Sequence, residues 1–403
     1  MEQVKKVKRM IFMAMAGMMI CTANGIVSAA TMDTAAKGIS YGEERVYVQT
    51  PEEHAKVAAN VSRKEPLPGS PEALAHRNAI GADNFYKSEK VTTQKVTFKN
   101  IYDMNVAGTL ILPKNMKQGN KLAAVVVGHP MGAVKEESST LYATKLAEQG
   151  FAVLAIDLSY WGESDGAQGK AANSVAPDVY AEDFSAAVDY LGTRDYIDRD
   201  KIGVLGICGS GSFAISAAKI DPRMKAVATV SMYNMGQAAR DGLNHSVDLK
   251  ARKAFIAEAA NARYDAFLGK RDTLYTSGTD DTVTPDMSDI QKEFYDYYRT
   301  ERGEYIPEGK TLQQTTHPTL VSMTKFINFY PFNDMNLLDD RPKMFIAGTE
   351  AHSLEFSQEA YALSGGQKEL VLVPNAGHVD LYDGAKIIPW NKLIHFFKTS
   401  LHV

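Results

Sequence analysis

Short runs of consecutive apolar residues alternate with amphipathic helical patterns in this chain, and this alternation limits the possible folds more than any other feature. A continuous apolar run is expected of a strand that is buried on both faces. Helical patterns between such runs predict a parallel sheet with helices on its faces, hence an α/β protein. The apolar runs are Ala123–Val127, Phe151–Ile156, Ile202–Ile207, Ala226–Val230, Met344–Ile346 and Leu370–Val373, and the helical patterns are Ser139–Gln149, Val179–Leu191 and Phe213–Ile220.

The alternation stops between the fourth and the fifth apolar run. Residues 234–341 are rich in aromatic side chains and contain helical stretches without a convincing strand. Because substrate pockets are usually lined by such groups, we predict that this segment is a cap inserted between late strands. A long helical excursion that packs on the core is the alternative. The predicted organisation is a signal peptide at 1–30, a helical arm at 31–90, a core at 91–233 and 342–403, and a cap at 234–341.

The first 30 residues have the pattern of a bacterial export signal. A basic stretch ends at Arg9, a charge-free and mostly apolar run covers Met10–Ile20, and small residues follow at 28–30. This pattern predicts a cleaved signal peptide and a periplasmic or secreted protein without a stable membrane span. An uncleaved signal that anchors the protein in the membrane is the alternative.

The overall charge argues against polyanionic partners. The formal net charge is −4, and without the +3 carried by residues 1–30 it becomes −7. A mildly acidic surface without a basic run disfavours binding to nucleic acid or to anionic membranes. The sequence makes no prediction of oligomeric state.

One of the two cysteines lies where a nucleophile is expected. Cys21 falls in the predicted signal peptide, whereas Cys208 lies in Gly206-Ile207-Cys208-Gly209-Ser210, between a predicted strand and a predicted helix. Small residues two positions from a nucleophile relieve the strain of a tight strand-to-helix turn. Ser210 fits the same pattern two residues later and is the alternative nucleophile. A buried cysteine beside a glycine-rich packing turn is the non-functional alternative.

The later part of the chain supplies candidates for a base and an acid in the order nucleophile, acid, histidine. His378 follows the last apolar run and a turn of small residues, as expected of a general base. Glu350 follows the preceding run and is the predicted acid, which would orient the imidazole. Asp380 and Asp383 are the alternative acids.

Two backbone amides are predicted to form an oxyanion hole. One belongs to Gly209, the residue after the predicted nucleophile. The second is expected in the loop His129-Pro130-Met131-Gly132, after the first buried parallel strand. Because Pro130 has no N–H group, we assign the second donor to Met131.

These residues resemble the α/β-hydrolase superfamily and, within it, the dienelactone-hydrolase-like group, over about residues 96–402 without the middle segment. The resemblance implies an α/β-hydrolase fold with cysteine as the nucleophile. The chain departs from the group in two ways: its predicted acid is a glutamate in place of the usual aspartate, and it is much longer. The runs that carry the resemblance are Gly206-Ile207-Cys208-Gly209-Ser210, Val127-Gly128-His129-Pro130-Met131-Gly132, Tyr160-Trp161-Gly162-Glu163-Ser164 and Gly377-His378-Val379-Asp380-Leu381-Tyr382-Asp383.

The sequence therefore predicts an exported hydrolase that cleaves an ester, lactone or thioester of a small acyl substrate. Cys208 would form a thioester acyl-enzyme, and His378 and Glu350 would complete the triad. No cofactor is implied, and no metal, since no histidine and acid residues have ligand spacing. Acyl transfer by the same triad and ligand binding without catalysis on a hydrolase scaffold are the two alternatives.

Overall fold

The computed structural model of the chain describes residues 47–48, 63–117, 119–269, 275 and 278–403. The predicted signal peptide and about half of the predicted arm lie outside these residues. The strands are β1 (Tyr47–Val48), β2 (Val91–Lys99), β3 (Asn105–Pro113), β4 (Leu122–Gly128), β5 (Ala152–Ile156), β6 (Ile197–Ile207), β7 (Met224–Val230), β8 (Lys343–Gly348) and β9 (Lys368–Val373). The helices are α1 (Pro71–Ile80), α2 (Ser138–Ala147), α3 (Pro177–Gly192), α4 (Ser210–Ile220), α5 (Met235–Asp241), α6 (Leu249–Phe267), α7 (Asp289–Tyr298), α8 (Leu320–Met323), α9 (Leu354–Leu363), α10 (Asp380–Asp383) and α11 (Trp390–Ser400).

The strands of the described residues form one sheet in the order β1-β9-β8-β7-β6-β4-β5-β3-β2. Neighbouring strands from β5 through β4, β6, β7 and β8 to β9 are parallel. The β2–β3, β3–β5 and β1–β9 pairs are antiparallel. The predicted mostly parallel sheet with flanking helices is thereby confirmed.

The central strands of the sheet are deeply buried. In β4, Val125, Val126 and Val127 are fully buried, as is every residue of β5. Complete burial of a valine-sized side chain contributes roughly 1.5–3 kcal/mol. This is why an unbroken apolar run in the sequence marks a central strand here.

The described part of the arm contains the helix that its sequence predicts. Helix α1 begins at Pro71, and the side chain of Ser70 accepts a hydrogen bond from the backbone N–H of Ala73 at 3.2 Å. Gly81 ends the helix in the left-handed conformation, at φ 65°. The capping residues therefore determine both ends of this helix.

The segment that connects β7 to β8, residues 231–342, is here called the insertion segment. Its described residues form helices α5 to α8 and no strand, which agrees with its helical pattern. Its treatment as a separate cap stays a prediction. Among all helices of the described ranges, none combines the length and apolar composition that a bilayer span requires.

The carboxyl ends of the parallel strands position the candidate site. The chain leaves β4 at Gly128, β6 at Ile207, β8 at Gly348 and β9 at Val373, all at the same edge of the sheet. In α/β folds, ligands bind at this edge. The residues predicted from sequence follow these four strand ends, so the topology brings their segments together.

Candidate active site

Cys208 occupies a strained turn between β6 and α4. Its φ is +52°, in the left-handed region. A Cβ added to Gly206 would lie 2.2 Å from the carbonyl oxygen of Ser210, so only glycine fits there. The carbonyl of Cys208 accepts hydrogen bonds from the N–H groups of Gly211 and Tyr233, each at 3.0 Å. Backbone hydrogen bonds with nearby segments of the same chain therefore hold the strained conformation in place.

Ser210, the alternative nucleophile, lies behind this turn. Its hydroxyl donates a 2.5 Å hydrogen bond to the carbonyl oxygen of His129 and is fully buried. A Cβ added to Gly128 would come within 2.7 Å of this hydroxyl. The Ser210 side chain thus packs against β4, and it does not line the cavity described below.

The Cys208 thiol is buried among three hydrogen-bonding groups. The backbone N–H groups of Gly209 and Met131 donate to its sulfur, and its third partner is the hydroxyl of Tyr382. Burial raises the pKa of Cys208 to about 11, although these hydrogen bonds act in the opposite direction. Both amides predicted for the oxyanion hole therefore lie beside the thiol, which carries its proton at neutral pH.

His378 lies between β9 and α10 and is fully buried. Its Nε2 is 2.8 Å from the hydroxyl of Tyr382, and its Nδ1 is 2.5 Å from Oγ of Ser353. The Tyr382 hydroxyl thus connects the imidazole to the Cys208 thiol, and Tyr298 is a further hydrogen-bonding partner of Tyr382. Sequence reasoning missed Tyr382, although its position four residues after His378 places the two on one face of a helical turn.

Glu350 stays a predicted acid only, since none of the contacts of the described residues joins its carboxylate to the imidazole. Its side chain is about one-third exposed, and its carboxylate lies 4.0 Å from the guanidinium of Arg63. The backbone N–H of Glu350 donates to the carbonyl of Ala376, which fixes the turn after β8. That turn brings Ser353 instead of Glu350 to Nδ1 of His378.

The two alternative acids are also engaged elsewhere. Asp380 is bound by Arg63 at 2.5 Å and by His76 at 2.8 Å, and both partners come from the arm. Asp383 forms a paired contact with Arg302 at 2.7 and 3.0 Å. These aspartates fasten the segment that carries His378 to its surroundings, and they leave its ring nitrogens to Ser353 and Tyr382.

A second histidine packs on the candidate base. The ring centroids of His352 and His378 are 4.5 Å apart. Glu293 of α7 lies 3.1 Å from Nδ1 of His352 and accepts a 2.7 Å hydrogen bond from the N–H of Val379. Burial and the neighbouring His352 lower the pKa of His378 well below its usual value. His378 is therefore neutral at pH 7 and able to accept a proton.

A cavity of about 150 Å³ opens onto the Cys208 thiol. Its walls come from the loop after β4, the turn after β6, the insertion segment and α10. Most of the lining side chains are apolar or aromatic, as is usual for a small-molecule site. The lining residues are Met131, Cys208, Tyr233, Met235, Gly278, Thr279, Asp280, Ile290, Gln291, Phe294, Tyr298, Thr316, Pro318, Met323, Phe326 and Tyr382.

Comparison with known proteins agrees with this fold. The uncharacterized protein PA2218 of Pseudomonas aeruginosa is 40% identical over 79% of this chain and 83% of its own length. The alignment with its crystal structure covers 83% of this chain and 99% of the PA2218 chain, with a TM-score of 0.72. The sequence model of the dienelactone hydrolase family matches residues 106–293. The chain belongs to the dienelactone hydrolase family.

Family membership confirms the predicted α/β-hydrolase fold and the predicted enzyme class, carboxylic ester and lactone hydrolases. Two further relatives are the uncharacterized protein YcjY of Escherichia coli, 32% identical over 76% of this chain and 99% of its own, and the polyketide transferase claH of Penicillium crustosum, 25% identical over 72% and 91%. Among the residues of this chain that the structure describes, no cluster of three or more histidine, cysteine or acidic residues could hold a metal ion.

Proposed function

We propose that the protein cleaves a carboxylic ester, lactone or thioester through a thioester acyl-enzyme on Cys208, with His378 as the base. One observation carries this proposal: the thiol faces the cavity and is hydrogen-bonded both to two backbone amides and, through Tyr382, to a neutral imidazole. Each reaction step then has a group at hand.

The first step removes the thiol proton. Because the pKa of Cys208 is about 11, only about one molecule in ten thousand carries a thiolate at pH 7. The proton therefore has to leave as the sulfur attacks. It passes to the oxygen of Tyr382 while the Tyr382 proton passes to Nε2 of His378, so Tyr382 ends as it began. The sulfur adds to the carbonyl carbon, and the π electrons of the carbonyl move to its oxygen.

The second step needs donors for the developing oxyanion. The N–H groups of Gly209 and Met131, which bond to the sulfur in the resting site, are the candidates. One such donor is worth about 10²–10³-fold in rate. When the tetrahedral intermediate collapses, the leaving group takes the proton from His378 along the same path, and a thioester remains on Cys208. Water then adds to the thioester carbonyl, and the thiol is released with its proton restored.

The third member of this constellation is Ser353, because its Oγ is the partner of Nδ1 of His378. A serine hydroxyl fixes the orientation of the ring but carries no charge. It therefore stabilises a protonated imidazole less than a carboxylate would. This fits a base that receives its proton only transiently.

The test is the mass of the intact protein after reaction with p-nitrophenyl esters of several acyl lengths. The wild type and Ser210→Ala should both gain one acyl group, which peptide mapping should place on Cys208, and Cys208→Ala should gain none. Activity that persists in Cys208→Ala and disappears in Ser210→Ala would contradict the assignment. If the wild type and Cys208→Ala are both inert at every acyl length, a ligand-binding role is the better description.

Acyl transfer to an alcohol or amine is the second candidate. Support comes from the relative named a polyketide transferase and from the largely apolar cavity walls, which leave water few hydrogen-bonding partners. Product analysis with added acceptor alcohols separates the two reactions. Transfer predicts that an ester of the acceptor forms at the expense of the free acid.

Export from the cytoplasm is also part of the proposal, and it rests on the basic and apolar pattern of residues 1–30. The full chain expressed in a bacterial host should appear in the periplasm or the medium. N-terminal sequencing should find a start near residue 30. Recovery of the intact chain in the membrane fraction would favour the uncleaved anchor.

A further inference from the structure

The charge of the cavity wall points to the kind of acyl group that the site accepts. Of the described residues that line the cavity, Asp280 is the only one with a charged side chain. Its Oδ2 accepts a 2.8 Å hydrogen bond from Gln291, which also lines the cavity. The wall therefore offers a carboxylate and no lysine, arginine or histidine among these residues.

The buried cation Arg299 contacts two residues of the cavity wall without lining the cavity itself. Arg299 donates to the carbonyl oxygen of Thr279 at 3.1 Å and to Oγ1 of Thr316 at 3.2 Å. Both threonines line the cavity, whereas Arg299 does not. The guanidinium also lies 3.5 Å from Asp281, outside the cavity. Its two Nη groups thus donate to backbone and hydroxyl oxygens, whereas its Nε makes no hydrogen bond and faces Asp281.

The size and the remaining walls limit the acyl group further. The cavity is partly open to solvent, and its volume of about 150 Å³ has room for a group about the size of benzene within its walls. Met131, Met235 and Met323 line it together with Phe294 and Phe326. Flexible thioethers adapt to apolar groups of different shape. The polar groups of Asp280 and Gln291 can orient a bound acyl group by hydrogen bonding at one place on the wall.

We infer that the enzyme accepts uncharged acyl groups of about one six-membered ring or a six-carbon chain, favours those whose far end carries a hydrogen-bond donor for Asp280, and excludes those that end in a carboxylate. This inference rests on the proposed function, because it assumes that the acyl group reaches Cys208 through this cavity. A terminal carboxylate would face the like charge of Asp280, and the neighbouring Arg299 is already paired with Asp281. A hydroxyl would instead donate a hydrogen bond to Asp280 in the place of water.

Three methyl esters of equal chain length test the inference: methyl hexanoate, its ω-hydroxy analogue and monomethyl adipate. Acid release at constant pH gives kcat/KM for each. The ω-hydroxy ester should exceed monomethyl adipate by at least about tenfold, with the unsubstituted ester between them. Asp280→Asn keeps the shape of the side chain and removes its charge, so this ratio should fall to about threefold or less.

Glu308→Gln is the matched control, since it removes one negative charge from an exposed side chain that does not line the cavity. Its ratio should equal that of the wild type. Equal turnover of monomethyl adipate and the ω-hydroxy ester by the wild type would overturn the inference and leave the hydrolase assignment intact. Absence of turnover of all three esters, together with no acylation of Cys208 by p-nitrophenyl acetate, would overturn the proposed function and the inference with it.

Discussion

Tyr382→Phe removes the hydroxyl that joins the thiol to the imidazole and little else. That oxygen lies 2.8 Å from Nε2 of His378 and is hydrogen-bonded to the sulfur of Cys208. No direct hydrogen bond links Sγ to Nε2 among the contacts of the described residues, so the variant lacks a path for the proton. Loss of general acid–base assistance should lower kcat/KM by about 10²–10⁴-fold.

The same substitution should change the reactivity of the thiol in a defined direction. Once the thiol has lost its proton, the Tyr382 hydroxyl donates to the thiolate and thereby lowers the pKa of Cys208, so its loss raises that pKa beyond about 11. Alkylation of Cys208 by iodoacetamide, followed by peptide mapping, should therefore be slower than in the wild type at every pH below 11. This measurement needs no substrate and reports the thiolate directly.

Loss of stability has to be separated from loss of catalysis. Burying the ring nitrogen of His378 without its partner costs about 1–3 kcal/mol of unfolding free energy. Tyr297→Phe is the matched control: its hydroxyl is buried and donates a 2.5 Å hydrogen bond to Asn84, and it does not line the cavity. This control should lose a similar amount of stability in urea and keep kcat/KM within about threefold of the wild type.

The refuting result is equally clear. If Tyr382→Phe keeps kcat/KM within about threefold of the wild type and its alkylation profile is unchanged, the proton does not travel through Tyr382. A direct transfer from Cys208 to His378 would then replace the relay. Equal losses in Tyr382→Phe and Tyr297→Phe would attribute the effect to stability alone.

Three further predictions follow from the site and its supporting turn. Ser353→Ala leaves Nδ1 of His378 without its partner and should lower kcat by about 10–10²-fold. Glu350→Gln changes a side chain that does not contact the imidazole, so its kcat should stay near that of the wild type in the same assay. The reverse order of the two losses would identify the glutamate as the acid. Gly206→Ala would place a Cβ 2.2 Å from a backbone oxygen of α4 and should destabilise the protein by about 3 kcal/mol or more in urea unfolding. Gly192→Ala is the control, since the nearest contact of its Cβ would be 3.6 Å away, and it should change stability by less than about 1 kcal/mol. Similar values for the two variants would contradict a steric role of the turn. The base must be neutral, and the pKa of His378 lies well below the usual 6.5. We therefore expect kcat/KM to be insensitive to pH around 6.5 and to fall only as the pH drops through that lowered pKa. A decrease in kcat/KM that begins at pH 7 or above would show that a different group titrates.

Most of the fold could be predicted from local patterns. The apolar runs match the central strands because each of these strands is buried on both faces, so nearly every residue is apolar, with the buried Thr229 of β7 as an exception. The turn at Cys208 is equally local, since the fit of Gly206 depends on backbone atoms only four and five residues away. The amides of Gly209 and Met131 could be assigned for the same reason: a backbone N–H points where the strand and the turn direct it.

The acid and the relay required the tertiary structure. Glu350 follows the expected strand, yet its side chain lies near Arg63, a residue of the arm, and Ser353 takes its place at His378. Glu293, which contacts His352 and the chain next to His378, comes from a segment that the sequence marks only as helical and aromatic.

The sequence by itself determined the sheet, the strained turn at Cys208, the position of His378 and the segments that meet at the carboxyl edge. The tertiary structure decided which side chains reach the ring nitrogens of His378, and these are Tyr382 at Nε2 and Ser353 at Nδ1. The physical reason is the range of the forces involved. Steric fit and burial of consecutive residues depend on neighbouring positions in the sequence. The directions of the Glu350 and Asp380 side chains depend instead on Arg63, which the fold brings from about three hundred residues away.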